Sequence, residues 1–403
     1  MIGYGSGNYM KLSAYPQLAL FSLAAVATSG FGQTFYLSVF GGALREEFAL
    51  SHVHYGALYS GATIVSALLL LRFGAIADSW PLRRALLPAI APLAVGCLLI
   101  GLATGPLMLL LGFLGIRFGG QGMIAHLGMT TAARYFAASR GKAVALAATG
   151  IPLAEAIMPV VAIMLMTLGG WRLPWLAAAG ALPLLILPAL SFLVRRTPEL
   201  GGGGSGMTGA HQYTRREALA DRGFYFLLPA VLITPFVATA LLFHQVAIAA
   251  ARGWSLELLA AAFVFFAGGH LLSLPGGGFL VDRWGGERCL PLALLPMAGG
   301  LLLLAAAAAT WVPLAYLGLL GASIGLATAA GGAVWAERYG VLHLGAIRSL
   351  VQSAIVISTS VAPVLIGLLL DQGLGIPGLA GVLAALTLAA SGLAALAPTQ
   401  IRG

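Results

Sequence analysis

Long apolar blocks, each broken from the next by a few polar residues, set the pattern of this chain. Read by length and hydropathy, they place spans near 16 to 42, 55 to 77, 85 to 104, 106 to 130, 142 to 168, 173 to 194, 223 to 250, 257 to 280, 288 to 310, 312 to 335, 347 to 370 and 377 to 398. A helix rises about 1.5 Å per residue, so runs of about 20 residues match a hydrocarbon core about 30 Å thick. Twelve transmembrane helices are therefore expected. One long polar connection interrupts the series, TPELGGGGSGMTGAHQYTRREALADRG, and it falls at mid-chain. Its glycine run has flexible-linker composition, whereas TRREALADR favours a short helix with Thr214 as its cap. The expected division is a six-helix bundle over 1–196, a cytoplasmic linker over 197–222 and a second six-helix bundle over 223–403.

Composition narrows the class to an all-α membrane protein. Hydrophobic residues make up 60% of the chain and charged residues 8%, with a mean hydropathy of +0.97. No soluble domain has that balance. The net charge of +9 does not point to nucleic acid, because the basic residues are spread through short loops rather than gathered in a patch. Their bias carries topology instead. With the N-terminus inside, the cytoplasmic side collects Lys11, Arg83, Arg84, Arg134, Arg140, Lys142, Arg195, Arg196, Arg215, Arg216, Arg222, Arg283, Arg288, Arg338, Arg348 and Arg402. Only Arg45, Arg172 and Arg252 then face out. Both termini are expected in the cytoplasm, in a multi-pass protein of the cell (inner) membrane. Residues 1 to 14 are polar and short, so no cleavable signal is expected. Cys97 and Cys289 sit in or beside apolar spans and suggest neither a disulfide frame nor a metal site.

The two halves repeat in one register. Gly74, Asp78, Trp80, Arg84 and Leu86 recur at a constant offset of 204 as Gly278, Asp282, Trp284, Arg288 and Leu290. The same offset carries Arg134 and Tyr135 onto Arg338 and Tyr339, and Pro159 onto Pro363. A register held from span two to span eleven implies a parallel duplication. Two charges break it. Arg117 of span four meets Gly321, and Glu155 of span five meets Thr359.

Those two charges are the chemistry of the chain. Arg117 lies roughly 16 Å along its helix from Pro106, and Glu155 roughly 20 Å from Lys142, which brings both near the middle of the bilayer. A charge at that depth costs at least a few kcal/mol unless paired or wetted, and usually marks a working site. Glu155 is the expected proton carrier, because the other acids fall in loops or at span ends. Arg117 is the expected anion-binding group, held by ionised Glu155 until the substrate carboxylate competes for it, with Gln121 beside it. Gln33 and Tyr36 of span one, His244 and Gln245 of span seven and His270 of span eight are further substrate-binding candidates. His126 is expected to pack, and Glu337 with Arg338 to lie at a gate on the cytoplasmic side.

The stretch GAIADSWPLRR after span two, and its second copy GGFLVDRWGGER after span eight, resemble the loop signature of the major facilitator superfamily. RFGGQG in span four, with Arg117, Gln121 and Gly122, is similar to that superfamily's arginine-glutamine-glycine motif. YFAASRGKAVALAATG, with Tyr135, Phe136, Arg140, Ala143, Ala147 and Gly150, resembles the fifth-span signature of its monocarboxylate porters. Span eight of those porters carries an arginine with a nearby aspartate, and this span offers His270. The resemblance implies the two-bundle fold and latching by the loop signatures when the inner side is closed. Asp78, Arg84, Asp282, Arg288 and Arg338 are then the expected gating residues. A carboxylate at the end of a span is suited to this, since it can meet the positive end of a neighbouring helix dipole.

Neither a nucleophile with its base nor a metal cluster points to an enzyme, and no pore-loop pattern points to a channel. Duplication with central buried charge fits a secondary transporter, needing no cofactor and driven by an ion gradient or its substrate's own. The expected cargo is a small organic anion, monocarboxylate-like, moved by proton symport through a functional monomer. The alternative is proton-antiport export of amphipathic drugs or metabolites.

Overall fold

The structure, a computed structural model, describes residues 15–73, 80–136, 140–195, 213–340 and 344–398. Among them are twelve helices long and apolar enough to cross a membrane. They are α1 Pro16–Ser38, α2 His52–Leu70, α3 Leu82–Gly101, α4 Pro106–Tyr135, α5 Lys142–Gly169, α6 Arg172–Leu193, α7 Arg222–Phe243, α8 Leu256–Trp284, α9 Gly286–Ala306, α10 Val312–Tyr339, α11 Leu350–Asp371 and α12 Ile376–Ala395. The spans expected from hydropathy are all present, and their ends shift by a few residues. Asp78, with Gly74, lies outside the described residues.

By packing, the chain divides into two compact units, and their borders within the described residues cut through helices. The first holds 1–36, 65–154 and 165–207; the second holds 37–64, 155–164 and 208–403. The second unit thus includes pieces of α1, α2 and α5 besides all the spans after the linker.

Several spans depart from regular helix, among them α6, which is π-helical over Leu182–Ile186, and three of the departures fall at candidate site residues. In α1 the chain tightens into a 3-10 turn over Ser29–Gly32, and Gln33 is extended (φ −88°, ψ 155°) before helix resumes at Thr34. Glycines at 30 and 32 lower the cost of leaving the helix there. In α4 the segment Arg117–Ile124, RFGGQGMI, is π-helical, again at a glycine pair. Such widened turns carry a small cost and are frequent at functional sites. The span expected to run from 223 to 250 ends at Phe243 and restarts as the short helix Gln245–Arg252, with His244 at the joint (φ −97°, ψ 13°).

Glycines let neighbouring spans touch backbone to backbone. In the first unit a side chain at Gly32 would meet the Ile116 carbonyl, and one at Gly119 would come within 2.5 Å of the Leu93 nitrogen. In the second, a side chain at Gly321 would collide with the Phe266 carbonyl on α8. Lipid offers no hydrophobic drive for association, so this close packing is what holds such helices together.

Candidate functional site

In the first unit the irregular segments of α1 and α4 pack on each other, and Arg117 sits at their junction. Its side chain is among the largest fully buried ones in the chain, at 2% exposure. Nη1 donates to the carbonyl of Gly32 at 2.9 Å. The 3-10 turn frees that carbonyl from the helical ladder, so the break in α1 supplies an acceptor where a cation needs one. Tyr36, also buried, stands edge-on to Phe31 (5.3 Å) and to Trp175 (5.1 Å). Gln33 is half-buried at the break, Gln121 is exposed on the π-helical segment, and His126 is half-buried one turn further on.

In the second unit Glu155 is buried, and its Oε2 lies 2.9 Å from Nδ1 of His270 on α8. Both side chains are at most 10% exposed. Among the described residues Glu155 is the one carboxylate that is buried. The sequence pairs Glu155 with Arg117, and the partner shown for Glu155 is His270. The two residues are 115 positions apart. A carboxylate and an imidazole in contact share a hydrogen bond along which a proton can pass.

His244 and Gln245, adjacent in sequence, part company at the joint after α7. His244 turns to α11, where its Nε2 lies 3.0 Å from the Pro363 carbonyl. Gln245, fully buried, faces Tyr316 on α10.

The residues expected to gate are placed as follows. Arg84, Asp282 and Arg288 are exposed. Glu337 meets the start of α9, where its Oε2 accepts from the Gly286 N–H at 2.7 Å. Arg338 is buried in a clamp. Nε donates to Asp221 and Nη1 to Glu287, each at 2.7 Å, and Nη2 reaches the Pro398 carbonyl at 3.0 Å. Tyr339 donates its hydroxyl to the same Asp221 at 2.8 Å. The clamp ties α10 to α9, to the end of α12 and to the linker, whose helix Arg215–Ala220 is closed by a capping box at Thr214. Burial pushes the Asp221 carboxyl up, but hydrogen bonds from Arg338, the Gly223 N–H and Tyr339 outweigh it and hold it below the usual carboxylate range.

The model of the Major Facilitator Superfamily matches residues 22–269, more than half of the chain. The chain belongs to the major facilitator superfamily. Two solved structures share its fold. Both are of a bacterial homolog to the human lysosomal transporter Spinster. The inward-facing and occupied form has a TM-score of 0.62 at 16% identity, over 97% of this chain and 95% of that one. The inward-facing and unoccupied form has a TM-score of 0.59 at 17% identity, over 98% and 100%. No curated protein matches. The protein is a multi-pass membrane transporter and not an enzyme. As a superfamily transporter it handles a small-molecule substrate.

The sequence did not reveal the pairing of Glu155 with His270, nor the Arg338 clamp. A histidine in span eight was visible, but which helix it faces depends on tertiary packing. For the clamp the signal was present: Asp221 sits immediately before span seven, and Arg338 and Glu287 end and begin spans that the repeat aligns.

Proposed function

We propose that the protein carries a small organic anion, monocarboxylate-like, together with one proton, by alternating access, as a monomer in the cell membrane with both termini in the cytoplasm. The observation that carries this reading is the buried Glu155–His270 contact at 2.9 Å. An ionised carboxylate beside a neutral imidazole bears one negative charge, and a proton taken up by the pair removes it. Arg117 bears one positive charge that a substrate carboxylate neutralises, with a forked donor geometry suited to the task. Either event alone changes the buried charge by one unit and leaves a net charge in low dielectric. Together they leave the total unchanged, so the empty and the fully loaded carrier can reorient and a half-loaded one is penalised. One proton and one anion per cycle make transport electroneutral.

Proteoliposomes with an imposed pH gradient test this. Glu155→Gln should abolish proton-driven accumulation of a monocarboxylate while leaving exchange of the anion across both faces in place. Full accumulation in Glu155→Gln would overturn proton coupling at this residue. Arg117→Gln should remove the thermal stabilisation that a carboxylate gives the purified protein, by the linkage of binding to unfolding. Stabilisation only by cationic amphiphiles would turn the reading to export by proton antiport.

A further inference from the structure

The second unit holds a second cluster of charged and ring side chains, at the ends of α2, α7 and α11 remote from Asp221. Asp371, the last residue of α11, accepts from the first two backbone N–H groups of α2. Oδ1 takes His52 at 3.2 Å and Oδ2 takes Val53 at 2.9 Å. A carboxylate on a helix start is favoured both by the open N–H groups and by the helix dipole. The helices interlock beneath this contact. A side chain at Gly56 would come within 2.8 Å of the Pro363 carbonyl, and one at Gly367 within 2.7 Å of the His52 carbonyl. Tyr55 stacks on Phe243 at 4.7 Å, Tyr59 leans on the same ring at 4.6 Å, and Ser60 donates to the Ser360 carbonyl. The rings of His52 and His244 lie 5.4 Å apart. Arg45, from the short helix Gly41–Glu47, lines a cavity of about 10 Å³ with them, room for about one water.

We propose that this cluster is a gate on the outer face which acid in that compartment opens, with Asp371 as its latch and the His52–His244 pair as its proton sensor. The outer face is the one that the charge bias of the loops assigns. A carbonyl only accepts, so the hydrogen bond to Pro363 requires the proton of neutral His244 to be on Nε2 and leaves Nδ1 to receive another. The charged and titratable groups facing His244 are Arg45 from the short helix, His52 and Tyr55 from α2, and Asp371 from α11. Asp371 is the one anion among these, and both its oxygens are already engaged by backbone. A second proton on His244 would therefore create a buried cation beside Arg45, and protonated His52 would add a third positive charge. With the gate open and the rings hydrated, those charges are screened. The open form thus binds protons better, and its share rises as pH falls through the ordinary imidazole value of about 6.5. Proton supply and access to the carrier would then come together. The inference rests on family membership and on the charge-bias orientation, and not on Glu155.

Accessibility of Thr63 tests it. That residue is buried about 16 Å along α2 from His52, below the gate. In a background with Cys97→Ser and Cys289→Ser, Thr63→Cys is labelled in oriented vesicles by an impermeant maleimide added outside. The rate is normalised to that of an exposed Leu256→Cys, which removes the reagent's own pH dependence. From about pH 7.5 to about pH 5.5 the normalised rate should rise about threefold or more, and in His52→Gln/His244→Gln it should stay flat. Asp371→Asn should label fast at both values. A flat profile in the parent overturns the gate before any variant is read, as does an unchanged rise in the double variant. Glu155→Gln should keep the rise while losing proton-driven accumulation, so the two readings fail separately. Loss of the rise in Glu155→Gln would make Glu155 the sensor and overturn the proposal.

Discussion

The repeat places α4 around Arg117 and α10 around Gly321 in the same register, and the two have been built to opposite ends. At Arg117 the helix widens into a π-helical segment against a broken α1, whose freed Gly32 carbonyl receives the guanidinium. At Gly321 the helix runs unbroken from Val312 to Tyr339 and presses onto α8 so closely that no side chain fits. One copy of the duplication gave up regular hydrogen bonding to house a charge; the other gave up a side chain to gain packing. Buried charge and bare helix packing are thus separated between equivalent positions, and this asymmetry between the repeats is what singles out Arg117 as a candidate.

The sharpest break of that comparison comes at the ends of the same two helices. Arg134 and Arg338 occupy one repeat position, yet Arg134 is exposed and Arg338 is buried with two carboxylates and a carbonyl. Removing one partner from a buried ion network costs about 3 to 5 kcal/mol, whereas an exposed pair contributes about 1 kcal/mol or less. Arg338→Ala should lower the unfolding temperature of the purified protein by many degrees, and Arg134→Ala by a few at most. Equal shifts would mean that the clamp adds nothing beyond a surface contact.

Next in size is Gly321→Ala. The added carbon meets the Phe266 carbonyl, and α8 and α10 must move apart along their most extensive contact. Overpacking of this kind costs about 1 to 3 kcal/mol. The matched change on the other side of the comparison is Gly32→Ala, which meets the Ile116 carbonyl and also displaces the acceptor of Arg117. Both should lose stability in a thermal unfolding assay. Only Gly32→Ala should lose more transport than its stability explains, and parity between them would remove the special standing of the broken α1.

Acid should act on the clamp with a predictable sign. Asp221 is held below the ordinary carboxylate range, so its contribution is fully present above its unfolded value of about 3.9 and is lost as pH falls through the lower folded value. Asp221→Asn should therefore be the less stable protein at neutral pH, and the gap to the parent should narrow as pH falls below about 3.9 towards the lower folded value. A gap that stays constant as pH falls below about 3.9 would contradict the assignment.

Much of this is legible in the sequence because lipid constrains it so strongly. Twelve apolar blocks, the repeat and the two unmatched charges follow from length, register and depth. What was not legible depends on partners far away along the chain. Glu155 meets His270 across 115 positions, and Asp371 meets His52 across 319. Nothing local distinguishes those residues from other polar ones at span centres or ends. The breaks in α1 and α4 were only half visible, as SGFG and RFGG, since glycine permits an irregular turn without requiring one.

The smallest expected effect belongs to Thr359, the residue that stands where the first repeat has Glu155. Its hydroxyl donates back to the carbonyls of Ile355 and Val356, at 3.0 and 3.1 Å, within its own helix. A hydroxyl satisfied one turn back needs nothing from a neighbouring span, and those carbonyls keep their helical donors if it goes. The side chain is half-buried, so valine of nearly the same shape trades one local hydrogen bond for a methyl group. The net change should stay within about 0.5 kcal/mol. Thr359→Val should thus match the parent in thermal unfolding and in uptake, while Glu155→Gln at the equivalent position does not. A loss of half the uptake in Thr359→Val would show that α11 contributes a polar group to the transported species, and would place function in both copies of the repeat.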